Sequence, residues 1–174
     1  MIKFKNEPVT LRGTQCNVND VLSDFRVVDN GLNDVELKNL KGKVILLSVP
    51  SLDTPVCSME VAKFIQLVRQ RKDVTCISVS MDLPFALDRW CLAQENTNVL
   101  TTSDYKYHEF EKVSGTMIEE LGLLTRAVFV LDEEHRVRYV EYVDEVTNEP
   151  DYDRVIEELD RISVSYTHLT LPTT

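Results

Sequence analysis

Residues 44–57 read VILLSVPSLDTPVC, and this stretch decides the fold. Residues 44–49 form a continuous apolar run, which suits a central strand buried on both faces of a sheet. Thr54 is a favourable N-cap residue and Pro55 suits the first helical position, so a helix is predicted over 55–71. Its apolar residues recur at helical spacing: Val61, Ile65 and Val68. The chain is therefore expected to pass from a buried strand, through a short loop, into a capped helix.

The rest of the chain predicts further strands and helices around this unit. Hairpins are expected from 2–5 with 9–12, around Asn6-Glu7-Pro8, and from 25–28 with 35–37. Later strands are predicted at 74–79, 98–101, 127–131 and 137–143, and later helices at 84–94, 108–121 (ended by Gly122) and 152–162. This order predicts an α/β fold in a single domain, residues 1–163, with parallel and antiparallel strands in one sheet.

The last eleven residues, 164–174, read VSYTHLTLPTT and continue no pattern of the acidic helix before them. They resemble the translation of a sequencing adapter, whereas the alternative is a frayed native tail. We interpret them as a non-native tail and leave them out of the functional argument.

Composition and charge exclude several classes of function. The chain has 174 residues, 43% of them hydrophobic and 28% charged, as in ordinary soluble domains. Its 19 basic residues against 29 acidic ones leave no basic patch for nucleic acid or an anionic membrane. The polar opening MIKFKNEPVTLRG lacks the apolar core of a signal peptide, so a cytoplasmic protein is expected.

Four cysteines are present, at positions 16, 57, 76 and 91. In a cytoplasmic chain such residues indicate catalysis or metal binding more often than a disulfide framework. No Cys-x-x-Cys pair and no histidine at ligand spacing accompanies them, so no metal is expected.

Cys57 falls in the first turn of the predicted helix. Free backbone N–H groups and the positive end of the helix dipole stabilise a negative sulfur at such a position. An isolated cysteine is more often a small buried hydrophobe. From spacing alone, the reactive and the structural interpretation of Cys57 are about equally favoured.

Four stretches resemble one protein family. The pattern Pro-x-x-x-Thr-x-x-Cys after a strand resembles the active-site motif of the peroxiredoxins. Bacterial thiol peroxidases, the atypical two-cysteine branch of that family, carry stretches similar to SVPSLDTPVC, ISVSMDLPFALDRWC, LGLLTRAVFVLD and YVEYVDEVTNEPDY of this chain. The resemblance extends from about Phe4 to Ile162.

The resemblance implies a role for five residues. Cys57 would be the peroxidatic cysteine and Cys91 the resolving one, which attacks the Cys57 sulfenic acid to form an intramolecular disulfide. Pro50 would shield the pocket, and Thr54 would offer its hydroxyl to the thiolate and the peroxide. Arg126 would stabilise the charge that develops on sulfur and oxygen.

Each of these residues also has a plainer interpretation. Thr54 could cap the N–H of Cys57, Arg126 could be a surface residue, and Cys91 could be a buried helix cysteine. Cys76 is expected to be structural and Cys16 to have no role. The aromatic residues are expected to form core or pocket wall: Phe85, Trp90, Phe110 and Phe129.

From the resemblance we expect a thioredoxin-like fold with an N-terminal β-hairpin extension. The chain would reduce hydrogen peroxide and organic hydroperoxides without a cofactor, take electrons from thioredoxin and form a homodimer. One alternative is a thiol–disulfide oxidoreductase, but that class normally has Cys-x-x-Cys where this chain has Thr54. Another is a non-catalytic redox-sensing or holdase protein that signals through the Cys57–Cys91 bond.

Overall fold

The computed structural model describes residues 1–96 and 98–170, and the side chains as far as residue 162. The strands are β1 Lys3–Phe4, β2 Glu7–Pro8, β3 Leu11–Arg12, β4 Arg26–Asp29, β5 Asp34–Glu36, β6 Lys43–Ser48, β7 Val74–Ser80, β8 Val99–Ser103, β9 Met117–Ile118, β10 Leu123–Leu124, β11 Ala127–Leu131 and β12 Val137–Tyr142. The helices are α1 Pro55–Leu67, α2 Pro84–Gln94, α3 Glu109–Ser114 and α4 Tyr152–Thr170, with a 3₁₀ turn at Leu37–Asn39.

A seven-stranded mixed sheet organises the fold, in the order β12-β11-β6-β7-β8-β4-β5. The three central strands β6, β7 and β8 are parallel, and the outer strands join them antiparallel. All six residues of β6 are buried, as expected for an apolar strand with a neighbour on each side and layers on both faces. The predicted thioredoxin-like α/β architecture is confirmed.

Two apolar layers cover the sheet. One contains buried side chains of α1, α2 and α4, and Phe64 and Val155 lie in it. The other is formed by α3 and the N-terminal segment, where Phe25 packs edge-on against Phe110 at 5.1 Å between ring centroids. Both Phe110 and Phe129 are core residues, as predicted. The same prediction is wrong for Phe85, which is 67% exposed at the start of α2.

The N-terminal hairpin has a different register from the predicted one. β1 pairs with β2 rather than with 9–12, and its turn is Lys5-Asn6, both in the left-handed region at φ 50° and 70°. The Glu145 carboxylate accepts the backbone N–H of both turn residues, at 3.1 and 2.7 Å. β3 pairs instead with β9, so a long-range contact overrides the local turn signal.

The predicted helix over 108–121 is wrong in its second half. α3 ends at Ser114 because Gly115 takes φ +64° and ends the helix in a left-handed cap. A side chain there is excluded, since a Cβ would lie 2.4 Å from the carbonyl oxygen of Thr14. The following residues form the β9–β10 hairpin, with Gly122 in its turn.

Two other helices differ from prediction in their ends. α1 stops at Leu67 rather than at residue 71, and the backbone of α4 continues to Thr170 rather than to residue 162. The interpretation of 164–174 as a non-native tail stays a prediction. Residues 171–174 lie outside the described residues.

Candidate active site

Cys57 occupies the first turn of α1, immediately after the loop that leaves β6. Its side chain is 0% exposed. Thr54 is the N-cap residue with an extended backbone, and Pro55 follows as the first helical residue. The positive end of the helix therefore lies beside the sulfur, an environment that stabilises a thiolate.

Arg126, the residue before β11, contacts the same sulfur. β11 runs antiparallel to β6 and pairs Ala127 with Ser48, so the residue before β11 arrives where β6 ends. Arg126 Nη2 donates to Cys57 Sγ at 3.2 Å, and Nε donates to the carbonyl of Val146 at 2.7 Å. Its side chain is 2% exposed, so the surface interpretation of Arg126 is wrong.

Glu60 is a third buried side chain of the site, bound to Arg126, and it was not predicted from the sequence. Arg126 Nη1 donates to Glu60 Oε1 at 2.5 Å, and Glu60 is 0% exposed. Burial raises the pKa of the Glu60 carboxyl to about 7, against the opposite effect of Arg126. Burial acts to lower the pKa of Arg126, but Glu60 and Cys57 more than offset this and raise it. The sequence signal was an acid three residues after Cys57, on the apolar face of the helix.

The Thr54 hydroxyl has a different role from the predicted cap. It donates to the Ser51 carbonyl at 2.8 Å and makes no capping bond, so that interpretation is wrong. The hydroxyl oxygen can still accept a hydrogen bond, which leaves the implied role toward peroxide a prediction. Thr54 is exposed and Pro50 is buried between β6 and the loop.

Asp82 holds this loop in place and was also missed. Its carboxylate accepts the Ser51 hydroxyl at 2.6 Å and the Leu52 N–H at 2.8 Å. β6 and β7 are parallel, so the loops that follow them lie at the same sheet edge. A carboxylate two residues after β7 could have been linked to the Cys57 loop on that ground.

Cys91 lies in the last two turns of α2 and is partly exposed. Its sulfur lies 3.0 Å from Thr101 Oγ1 and accepts from Asn96 Nδ2 at 3.5 Å. Cys57 and Cys91 are both free thiols with different partners. One hydrogen bond connects their helices: Trp90 Nε1 donates to Ser58 Oγ at 2.9 Å, and each of these residues is the sequence neighbour of one cysteine.

The other two cysteines lie in the apolar layers. Cys76 is 2% exposed in the same layer as α1, and burial raises the pKa of its thiol. Cys16 is 9% exposed, and burial likewise raises the pKa of its thiol. A raised pKa makes a thiol a poorer nucleophile at neutral pH, because the thiolate is the reactive form. That Cys76 is structural and that Cys16 has no role stay predictions.

The described part of the chain offers neither a metal-binding cluster nor a membrane-spanning helix. Among the described side chains, those of residues 1–96 and 98–162, no cluster of three or more histidine, cysteine or acidic residues is arranged to hold a metal ion. No helix in those ranges has the length and apolar character needed to cross a bilayer.

Known proteins resemble this chain over most of its length. The sequence profile of the Redoxin family matches residues 17–156. The thiol peroxidase of Clostridium acetobutylicum is 47% identical over 156 residues, which cover 90% of this chain and 95% of that protein. The thiol peroxidase of Bacillus subtilis is 45% identical over 157 residues, covering 90% and 94%.

Solved structures are similar as well. The peroxiredoxin-like protein from Aquifex aeolicus superimposes with a TM-score of 0.88 at 38% identity, covering 92% of this chain and 96% of that one. The thiol peroxidase from Chromobacterium violaceum superimposes with a TM-score of 0.86 at 19% identity, covering 94% and 97%. The second likeness concerns the fold alone.

Proposed function

The chain belongs to the Redoxin family as a peroxiredoxin of the bacterial thiol peroxidase type, a thiol-dependent peroxidase, and we propose that Cys57 is the thiol that attacks the peroxide. The contact between Cys57 Sγ and Arg126 Nη2 at 3.2 Å carries this proposal. A fully buried sulfur that lies at a helix N-terminus and against a guanidinium is in a site suited to an anion.

The first step of the reaction follows from that arrangement. The Cys57 thiolate attacks one peroxide oxygen; the sulfur–oxygen bond forms as the oxygen–oxygen bond breaks. With one proton taken up, thiolate and hydroperoxide give sulfenic acid and water, or an alcohol from an organic hydroperoxide. Arg126 can stabilise the negative charge on sulfur and on the departing oxygen, because its guanidinium presents several donors in one plane.

Cys91 would complete the cycle as the resolving cysteine. Its thiol attacks the Cys57 sulfenic acid, a disulfide forms, and water leaves. The sulfurs have different partners in the reduced chain, so closure needs local rearrangement. α2 buries only Pro84 and Leu87, whereas α1 buries five side chains, which favours movement of the Cys91 segment.

Thioredoxin as reductant, a homodimeric assembly and a cytoplasmic location are part of the same proposal. The resemblance to the two-cysteine thiol peroxidases supports them. Exposed apolar side chains on α1, before α2 and on α2 itself also provide surface for a protein partner: Met59, Leu83, Phe85 and Leu92. Sedimentation analysis of the reduced protein would test the dimer.

A coupled assay tests the catalytic proposal. Peroxide consumption with thioredoxin, its reductase and NADPH should proceed through many turnovers in the wild type, and Cys57→Ser should have none. Cys91→Ser should retain a single attack and accumulate sulfenic acid at Cys57, detected by dimedone labelling and mass spectrometry. Cys16→Ser is the matched control and should turn over normally. A wild type that reacts once only would favour the redox sensor, and an active Cys57→Ser would exclude Cys57 as the nucleophile.

A further inference from the structure

One cation lies between two acids in the interior of the site. Arg126 donates to the Cys57 sulfur through Nη2 and to the Glu60 carboxylate through Nη1. All three side chains are at most 2% exposed. If both acids are ionised, the buried group of three carries a net negative charge; if one is protonated, it is neutral. Because an uncompensated buried charge is costly, the neutral state is favoured.

Glu60 is the acid with the weaker support. Its Oε1 accepts from Arg126, but Oε2 is buried and has no hydrogen-bond partner among the described residues. A protonated carboxyl tolerates this environment better than a carboxylate with one unsatisfied oxygen.

The carboxylates near Glu60 oppose its ionisation. Apart from Arg126 and Cys57, the titratable groups around Glu60 are acids from three elements and one loop: Glu141 of β12, Glu149 before α4, Tyr152 of α4 and Cys76 of β7. Together with burial, the two glutamates oppose Arg126 and raise the pKa of Glu60 to about 7. Glu60 can therefore gain or lose its proton near neutral pH.

We propose that the Glu60 carboxylate competes with the Cys57 thiolate for Arg126, so that the two acids share one proton and Cys57 is fully ionised only when Glu60 holds it. The exchange is balanced: thiol and carboxylate become thiolate and carboxylic acid, and Arg126 keeps its charge. Glu60 is thus a positioning residue that acts on the reaction through Arg126. This inference rests on the proposed function of Cys57 as the attacking thiol.

The pH profile of peroxide attack tests the competition. Glu60→Gln removes the competing charge but keeps an amide oxygen that can accept from Arg126. The midpoint of the rate against pH, measured by stopped flow with hydrogen peroxide on the reduced protein, should fall by about one unit. At a fixed pH below the midpoint, that shift raises the ratio of thiolate to thiol about tenfold.

Glu111→Gln is the matched control. Glu111 lies on α3, on the side of the sheet away from Cys57, and is 3% exposed. Its carboxylate contacts Arg12 and His108. Its variant should keep the wild-type profile. An unshifted midpoint in Glu60→Gln, with or without a lower plateau, would show that Glu60 only anchors Arg126 and would overturn the competition; so would a shift to higher pH.

A second measurement leaves Glu60 in place. Coupling between two titrating sites is reciprocal, so removing the sulfur anion should let Glu60 ionise at lower pH. The side-chain carboxyl carbon of Glu60, followed by ¹³C NMR, should titrate about one unit lower in Cys57→Ser than in the reduced wild type. Equal titration of Glu60 in the two proteins would contradict the proposal even if Glu60→Gln did not fold. A Cys57→Ser protein that still turned over peroxide would instead refute the proposed function.

Discussion

Replacing Arg126 by lysine should greatly lower the rate of peroxide attack while the chain still folds. Arg126 makes three bonds in three directions: to Val146 at 2.7 Å, to Glu60 at 2.5 Å and to Cys57 at 3.2 Å. A lysine keeps the charge, but its single ammonium cannot reproduce the planar fork. Losing one hydrogen bond to a charged group costs about 1.5–3 kcal/mol. If that loss falls on the transition state, the rate drops by a factor of roughly 10 to 150.

Single-turnover stopped flow with hydrogen peroxide measures this rate directly, without the reductant. Thermal unfolding by circular dichroism reports whether the variant is folded. Arg138→Lys is the matched control. Arg138 is an exposed residue of β12 that pairs with Asp132, so its variant should keep the wild-type rate. A folded Arg126→Lys protein within about threefold of the wild-type rate would refute the assignment of Arg126 to transition-state stabilisation.

Three further predictions concern movement, pH and the tail. Hydrogen exchange should show lower protection around Cys91 in the oxidised than in the reduced protein, and equal protection of the Cys57 and Cys91 segments in both forms would contradict the movement. Burial raises the pKa of Asp104 to about 6, against two backbone N–H bonds, from 3.8 in the unfolded chain. The native state therefore binds the extra proton, and this stabilising contribution is lost as pH rises from 3.8 to about 6. In urea unfolding over that pH interval, the free energy of unfolding should fall by up to about 3 kcal/mol more in the wild type than in Asp104→Asn. Equal falls in the two proteins would disprove this. Deleting 164–174 should leave peroxidase turnover and melting temperature unchanged, and a lower melting temperature would show that the tail is part of the domain.

Elements with strong local patterns could be predicted from the sequence. The apolar runs of β6 and β7 and the prolines in the first turns of α1 and α2 combine local propensity with burial, and both kinds of signal agree there. The prediction failed where a distant residue decides the local structure. Gly115 ends α3 against the carbonyl of Thr14, and Glu145 fixes the turn at Lys5-Asn6.

The candidate site shows the same contrast between residues that a local pattern predicts and residues that the fold brings together. Cys57 and Thr54 could be placed from the strand–loop–helix pattern, because that pattern is local. Arg126 and Cys91 were identified through a family resemblance, since no spacing along the chain reveals that β11 begins where β6 ends. Glu60 and Asp82 were missed because each acts through a partner that the fold, and not the sequence, brings near: Arg126 for Glu60, and the Ser51 loop for Asp82.

The site therefore depends on strand direction as much as on its motif. Parallel pairing of β6 with β7 places the Cys57 loop beside Asp82, and antiparallel pairing of β6 with β11 places Arg126 against the sulfur. Slipping β11 by one residue relative to β6 would turn its side chains to the opposite face, so the guanidinium would no longer meet Cys57 and Glu60. Such a slip would move each side chain of β11 into the other apolar layer. The packing around β6 and β11, in which every residue is buried, opposes this exchange. The core thus stabilises the geometry that places Arg126 against the buried Cys57 sulfur.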